Sequence, residues 1–304
     1  MRHSVKERAV CSFLGGIRMK CIATDMDGTL LNEHQMVSNE NRKALEAVRD
    51  SGGQVIVATG RSFKEARFAL DEINFHCPII SLNGAAVYNQ EGELVTSQPM
   101  REESLLETVK HLEEMDLYFE MYTNRGTFSK NPEKAIDSLV DIFLSANPDQ
   151  KEESVRKFAE GRIKFGFLFA TDDYYQLINE KDIEIYKILV FSTDINKLKN
   201  AVTVLGDLEE LTVTSSGKGN IEINQSGVSK GIALENLLKK LQIPLEETIA
   251  IGDNFNDVSM FEKAGLSVAM GNASEEIKGL CMDTTLTNEE HGVAHIIYKY
   301  IVQK

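Results

Sequence analysis

The sequence predicts an α/β chain: a parallel sheet covered by helices on both faces, interrupted by an inserted α+β segment. Three observations predict it. Toward both ends of the chain, short and near-continuous apolar runs alternate with helical stretches, the pattern of strands buried on both faces. The middle instead carries alternating strands, hairpins and helices. Five of the apolar runs end in small polar residues, at the end of the strand where open parallel sheets bind ligands.

Residues 20–24 form the first strand and run into the turn Asp25-Met26-Asp27-Gly28-Thr29. Ser38 is a good N-cap, Leu45 and Val48 mark the inner face of the helix it starts, and Gly52-Gly53 stops that helix. Residues 54–58 are a second strand, closed by Thr59-Gly60-Arg61, and a helix follows from about Phe63. Residues 78–82 are a third strand, ending in Asn83-Gly84. In the middle, helix 102–115 places Leu105, Leu106, Val109 and Leu112 at helical spacing, and residues 117–122 and 127–129 form a hairpin around Asn124-Arg125-Gly126. Helices follow at about 133–146 and 152–160, then strands near 165–169 and 184–191, a helix at 195–205 and a hairpin of 211–215 with 220–224. The parallel pattern resumes after Gln225. A helix begins at Ser229-Lys230-Gly231 and ends before Pro244, and strand 248–251 is closed by Gly252-Asp253-Asn254-Phe255-Asn256-Asp257. A helix then runs to Gly265, strand 266–270 ends in Gly271-Asn272, and the last helix spans about 292–302.

At roughly 150 residues per domain, 304 residues suggest two domains. A 42% hydrophobic and 26% charged composition is that of a globular chain. The net charge of −14 argues against a protein that grips nucleic acid or an anionic membrane, and no run of about 20 apolar residues spans a bilayer. The cysteines (Cys11, Cys21, Cys77, Cys281) are scattered without a C-x-x-C pair, as expected of reduced thiols in the cytoplasm. Residues 1–18 are basic with a short apolar run. They read as an upstream extension before a start at Met19, with an ordered element and a targeting peptide as the other readings. The expected domains are a core of residues 19–84 and 225–304 and an insertion of residues 85–224.

Side chains two apart on an extended segment point the same way, about 7 Å apart, so Asp25 and Asp27 would share one side of the crevice. A third carboxylate, Asp253, comes from another strand end. Such a group repels itself unless a cation sits among it, and carboxylates, a carbonyl and waters suit Mg²⁺.

The cluster Asp25-Met26-Asp27-Gly28-Thr29-Leu30-Leu31 resembles the first motif of the haloacid dehalogenase superfamily. Thr59-Gly60-Arg61 resembles its second motif, Ser229-Lys230-Gly231 the third and Gly252 to Asp257 the fourth, in order and covering the chain from Met19 onward. The insertion between the second and third motifs, with Asn83-Gly84-Ala85, resembles the Cof-type branch. The resemblance implies a Rossmann-like core, an α/β cap that selects substrate by closing over the crevice, and an Mg²⁺-dependent phosphatase acting on small phosphorylated metabolites such as sugar phosphates. It implies that Asp25 attacks phosphorus and that Asp27 acts as acid and then base. Met26, Thr59, Gly60, Lys230 and Asn256 would bind the phosphate or substrate. Mg²⁺ would be held by the carboxylates of Asp25 and Asp253 and the main-chain carbonyl of Asp27, with Asp257, Asn83 and Arg61 in support. A phosphomutase with the same nucleophile would need a bisphosphate activator. A non-catalytic phosphometabolite-binding regulator would keep its cellular function after Asp25→Asn.

Overall fold

The computed structural model describes residues 19–146, 152–215 and 219–302, so the readings of residues 1–18 and of Cys11 lie outside the described residues. The chain divides into two compact units, Met1–Thr96 with Ser229–Lys304, and Ser97–Val228.

The first unit carries β1 (Cys21–Thr24), β2 (Gln54–Ala58), β3 (Ile79–Ser81), β4 (Ala86–Tyr88) and β5 (Leu94–Ser97), and, after the second unit, β12 (Thr248–Gly252), β13 (Leu266–Ala269) and β14 (Asp283–Thr284). They form one sheet in the order β14-β13-β12-β1-β2-β3-β4-β5. β1 lies inside it, parallel to β2 on one side and to β12 on the other, and β13, β14 and β3 extend the parallel run. The helices of this unit are α1 (Asn39–Asp50), α2 (Phe63–Asp71), α8 (Lys230–Leu241), α9 (Val258–Phe261), α10 (Glu275–Leu280) and α11 (Gly292–Tyr300). Ser38 caps α1 by accepting from the Asn41 N–H, and Ser62 with Glu65 forms a capping box on α2. Because successive strand residues face opposite sides, the apolar runs feed two cores. Ile22, Val55, Val57, Ile249 and Ile251 pack on Leu45 and Val48 of α1 and Val293, Ile296 and Ile297 of α11. Cys21, Ala23, Ile56, Ala58 and Ala250 pack on Leu234, Leu237 and Leu238 of α8 and on Met260 and Phe261. Each such fully buried Leu or Ile contributes about 1.5–3 kcal/mol.

The second unit begins later than the expected Ala85, because Ala86-Val87-Tyr88 turns back and pairs antiparallel with β3, keeping β4 and β5 in the first sheet. Its own sheet has the order β10-β11-β9-β6-β7-β8, built from β6 (Tyr118–Thr123), β7 (Gly126–Ser129), β8 (Leu168–Ala170), β9 (Ile185–Phe191), β10 (Leu211–Thr214) and β11 (Asn220–Gln225). Pairing is antiparallel except between β7 and β8. β8 starts at Leu168 rather than near Phe165, because α5 (Glu152–Lys164) runs on and turns through Gly166 at φ +70°. One sheet face packs Phe119, Met121, Ile188, Val190, Ile221 and Ile223 on α3 (Glu102–Glu114), α6 (Tyr174–Ile178) and α7 (Ile195–Gly206). The alternate residues Glu120, Lys187 and Glu222 face the other side and are also buried. Arg162 of α5 donates to both oxygens of Glu120 at 2.9 and 2.7 Å, and Lys187 lies 3.3 Å from Glu222 and 4.5 Å from the Tyr122 ring centroid. Beside α5, α4 (Pro132–Ala146) contributes Val140 to a small separate cluster with Val155 and Ala159.

Short elements had no clear sequence signal: α6, α10 and β14 are too brief to show a period, and only one turn of the helix expected up to Gly265 forms, as α9. Cys21, Cys77 and Cys281 are buried free thiols, and among the described residues no helix is long and apolar enough to cross a membrane. The Glu120–Arg162 pair sets a test of stability. Breaking a buried pair from one side leaves an uncompensated charge, so Arg162→Met should destabilise the second unit by about 3–5 kcal/mol in urea unfolding. Adding Glu120→Leu should recover most of that loss.

Candidate active site

The site is built where β1, β2, β3 and β12 end. The Asp25 N–H donates to the Ile251 carbonyl at 2.9 Å, which carries the β1–β12 ladder up to the carboxylate. Residues 26–30 then coil in one wide turn, with Gly28 at φ +70°. A Cβ at this position would lie 2.6 Å from Asp253 Oδ2, so glycine is required both by the left-handed backbone and by the approach of Asp253. Thr29 Oγ1 donates to Asp253 Oδ1 at 3.0 Å. The turn is braced from outside by Asn272 and Asn288, whose amides donate to the carbonyls of Gly28 (2.8 Å) and Leu31 (3.0 Å).

Lys230 is the first residue of α8, capped by Ser229, and its side chain is fully buried. A cation at the positive end of a helix and out of water is doubly disfavoured. It is held by two carboxylates, Asp25 Oδ1 at 2.6 Å and Asp257 Oδ1 at 2.7 Å. Burial alone would lower its pKa, but Asp25 and Asp257 hold it above the ordinary lysine range. The second Asp257 oxygen accepts from the N–H groups of Asp253 (3.0 Å) and Asn254 (3.1 Å), so this residue also shapes the loop that presents Asp253.

Ligand atoms of Asp25, Asp253 and Asp257 lie within 4.8 Å of one another. Three carboxylates against the one ammonium of Lys230 leave an excess of two negative charges. The strain shows in the carboxyls: burial first, then the neighbouring carboxylates, pushes Asp253 up to about 7 and Asp25 well above the usual range, despite Lys230 beside it. An oxygen-only donor set with two surplus negative charges fits a divalent cation of the Mg²⁺ type.

Asp27 takes a different course from Asp25. The turn sends its half-exposed carboxylate to Arg61, which donates from Nε to Oδ2 at 2.8 Å and from Nη2 to Oδ1 at 2.5 Å. Asp27 is not one of the three carboxylates whose ligand atoms lie within 4.8 Å of one another, although its charge still acts on Asp25 and Asp253; what it could offer a cation is its main-chain carbonyl. Thr59 is buried and its Oγ1 accepts from the Arg61 N–H at 3.1 Å, tying Gly60 and Arg61 to the end of β2. Asn83, in a left-handed conformation at φ 60°, accepts from Asn256 Nδ2 at 3.4 Å, linking the ends of β3 and β12. The Met26 side chain lies in the core, which leaves its main chain for the site. The bracing residues Asn272 and Asn288 were not among the expected site residues. Asn272 follows a strand end, a signal that was present; Asn288 lies in a loop with none. Gly28→Ala should lower kcat by about a hundredfold through displacement of Asp253, with circular dichroism unchanged, since misplacing a catalytic group by about 1 Å costs that much.

With this geometry in place, comparison with known proteins is specific. Residues 22–297 match the family model of the haloacid dehalogenase-like hydrolases. The chain is 38% identical to the phosphatase YwpJ of Bacillus subtilis (strain 168), over 92% of this chain and 99% of that protein. It is 36% identical to the 5-amino-6-(5-phospho-D-ribitylamino)uracil phosphatase YwtE of the same organism, over 92% of this chain and 97% of the relative. A solved haloacid dehalogenase-like hydrolase from B. subtilis superposes with a TM-score of 0.86 at 37% identity, covering 92% of this chain and 99% of that one. The match runs through both halves of the core and the segment between them, and all four motifs meet in one place: the chain belongs to the haloacid dehalogenase-like hydrolases and is an enzyme of that family.

Proposed function

We propose that the protein is an Mg²⁺-dependent phosphatase that hydrolyses small phosphomonoesters through an aspartyl-phosphate on Asp25. The observation that carries this reading is a buried carboxylate at the end of a central strand, 2.6 Å from a buried lysine and within a cluster carrying surplus negative charge. Asp25, Asp253 and the main-chain carbonyl of Asp27 would hold the cation, with Asp257 behind them. When bound, the cation offsets the carboxylates and the charge on the transferring phosphoryl group.

In the first step an Asp25 oxygen forms a bond to phosphorus as the bond to the alkoxy oxygen breaks, and Asp27, which enters this step as the protonated carboxylic acid, gives its proton to that oxygen. Water then attacks the phosphorus of the acyl-phosphate and Asp27 takes its proton, which frees phosphate and restores Asp25. Lys230 has a third N–H beyond those given to Asp25 and Asp257, and with the Thr59 hydroxyl and the Asn256 amide it can meet the equatorial oxygens, where charge spreads in the transition state. The relative YwtE is named for a phosphorylated ribityl compound, which supports a small phosphorylated metabolite as the substrate class. We assign substrate choice to the second unit, inserted between the second and third motifs.

Phosphate release from a panel of small phosphomonoesters should occur with Mg²⁺ and cease with EDTA; release that ignores EDTA would remove the metal from the reading. Purified Asp25→Asn should retain less than about a hundredth of the wild-type rate, and a higher residue of activity would exclude Asp25 as the nucleophile. The cation has a readout apart from turnover. At a hundredfold excess over its Kd, Mg²⁺ should stabilise the wild-type protein by about 2.7 kcal/mol, and Asp253→Asn should lose most of that gain.

A further inference from the structure

Leu31 and Val37 form an isolated antiparallel bridge that closes a tight turn beside the site. The turn makes its own bonds: Asn32 N–H donates to the Met36 carbonyl, Gln35 N–H to the Asn32 carbonyl, and Asn32 Oδ1 accepts from the N–H groups of His34 and Met36. Within it Gln35 sits at φ 60°. Glycine adopts that backbone freely and asparagine tolerates it, whereas a long side chain gains nothing there from the turn itself. What the glutamine adds is a contact outside the turn, since its Oε1 accepts from Arg61 Nη2. The same Nη2 donates to Asp27 Oδ1 while Nε serves Oδ2, so one guanidinium plane is pinned by the turn on one side and grips the Asp27 carboxylate on the other.

We infer that Gln35 is a positioning residue: its amide fixes the plane of the Arg61 guanidinium, which presents the Asp27 carboxyl to the leaving oxygen. The inference rests on the phosphatase reading above. The main chain of Arg61 is already fixed, its N–H by Thr59 Oγ1 and its carbonyl by the Leu82 N–H. The two-pronged pair fixes the guanidinium and the half-exposed carboxylate relative to each other, but not the pair as a unit relative to the fold. An acceptor carried by a closed turn supplies the missing fixed point. Gln35 is neutral, so it orients the guanidinium without competing as a second anion for the charge that Asp27 uses. The orientation matters because proton transfer needs the acid within about 2.6–3.2 Å of the leaving oxygen.

The variant Gln35→Gly tests this without straining the fold, because φ 60° suits glycine and the turn keeps its main-chain bonds. Gln35→Asn also tolerates the backbone and stops one methylene short of Arg61. Both are measured with Mg²⁺ on glycerol 2-phosphate, whose alkoxide needs a proton to leave, and on p-nitrophenyl phosphate, whose leaving group departs without one. Each variant should lower kcat/KM for glycerol 2-phosphate about tenfold and change that for p-nitrophenyl phosphate by less than about twofold, a fraction of what general acid catalysis supplies. In an Arg61→Ala background, Gln35→Gly should leave the ratio of the two substrates where Arg61→Ala put it. An unchanged ratio in the single variants, or an equal loss on both esters, would overturn the role of Gln35 while the wild-type turnover upholds the phosphatase reading. Wild-type protein that releases phosphate from neither ester would overturn both.

Discussion

Lys230 cannot be buried alone, and the arrangement of the site follows from that. An ammonium removed from water needs carboxylates at hydrogen-bond distance, and the fold supplies them from two directions: Asp25 at the end of β1 and Asp257 in the loop after β12. The lysine itself comes from the first turn of α8, so three segments far apart in sequence are joined at one atom. Asp257 passes the constraint on, since its second oxygen holds the N–H groups that set the position of Asp253. Asp253 in turn crowds the turn after β1 so closely that residue 28 has to be glycine. One charge thus fixes Asp25, the loop of the fourth motif and the backbone of the first.

The pairing leaves the cluster overcharged, and this is what makes the site a place for a reaction rather than a structural ion pair. A lysine between two carboxylates alone would leave one surplus negative charge. The third carboxylate raises the surplus to two, and burial first, then the neighbouring Asp257, pushes Asp253 up to about 7. Such an arrangement suits a cation, which would offset the surplus charge. The second unit shows the contrasting case: Glu120 with Arg162 and Lys187 with Glu222 are buried in equal numbers of each sign. That layer is self-sufficient and fixes the sheet to α5 without calling for a ligand.

Much of the core was legible because parallel strands buried on both faces must be apolar along their length, and their polar ends then stand out. Asp25, Thr59, Asn83 and Asp253 announced themselves in that way. The order of the motifs, and with it the role of Lys230, came from resemblance, since a lysine at a helix start looks like any solvated lysine until its partners are known. The pairing of Asp27 with Arg61 was not legible from the residues alone. An extended segment would have placed the two carboxylates side by side, but the turn of residues 26–30 begins straight after Asp25, and the Asp27 carboxylate pairs with Arg61. Gln35 was invisible for a related reason: its importance lies in a backbone angle and a partner twenty-six residues away, neither of which leaves a pattern in the sequence. The limits of the insertion shifted because Ala86-Val87-Tyr88 reads as a start of new structure yet pairs back onto β3.

The position of β1 between β2 and β12 has a consequence for how the protein forms. β2 follows β1 after one helix, but β12 arrives only after the whole of the second unit, so the pairing that orders Asp25 is among the longest loop closures in the chain. Contacts of such sequence separation form slowly and late. During synthesis, a nascent chain that has completed both early strands and the inserted unit still lacks Lys230, Asp253 and Asp257. Its first motif then has neither its lysine nor the other carboxylates of the cluster. The carboxylate cluster with its lysine is therefore absent from every partial product, and it forms when the segment from Ser229 onward docks against a strand made near the beginning.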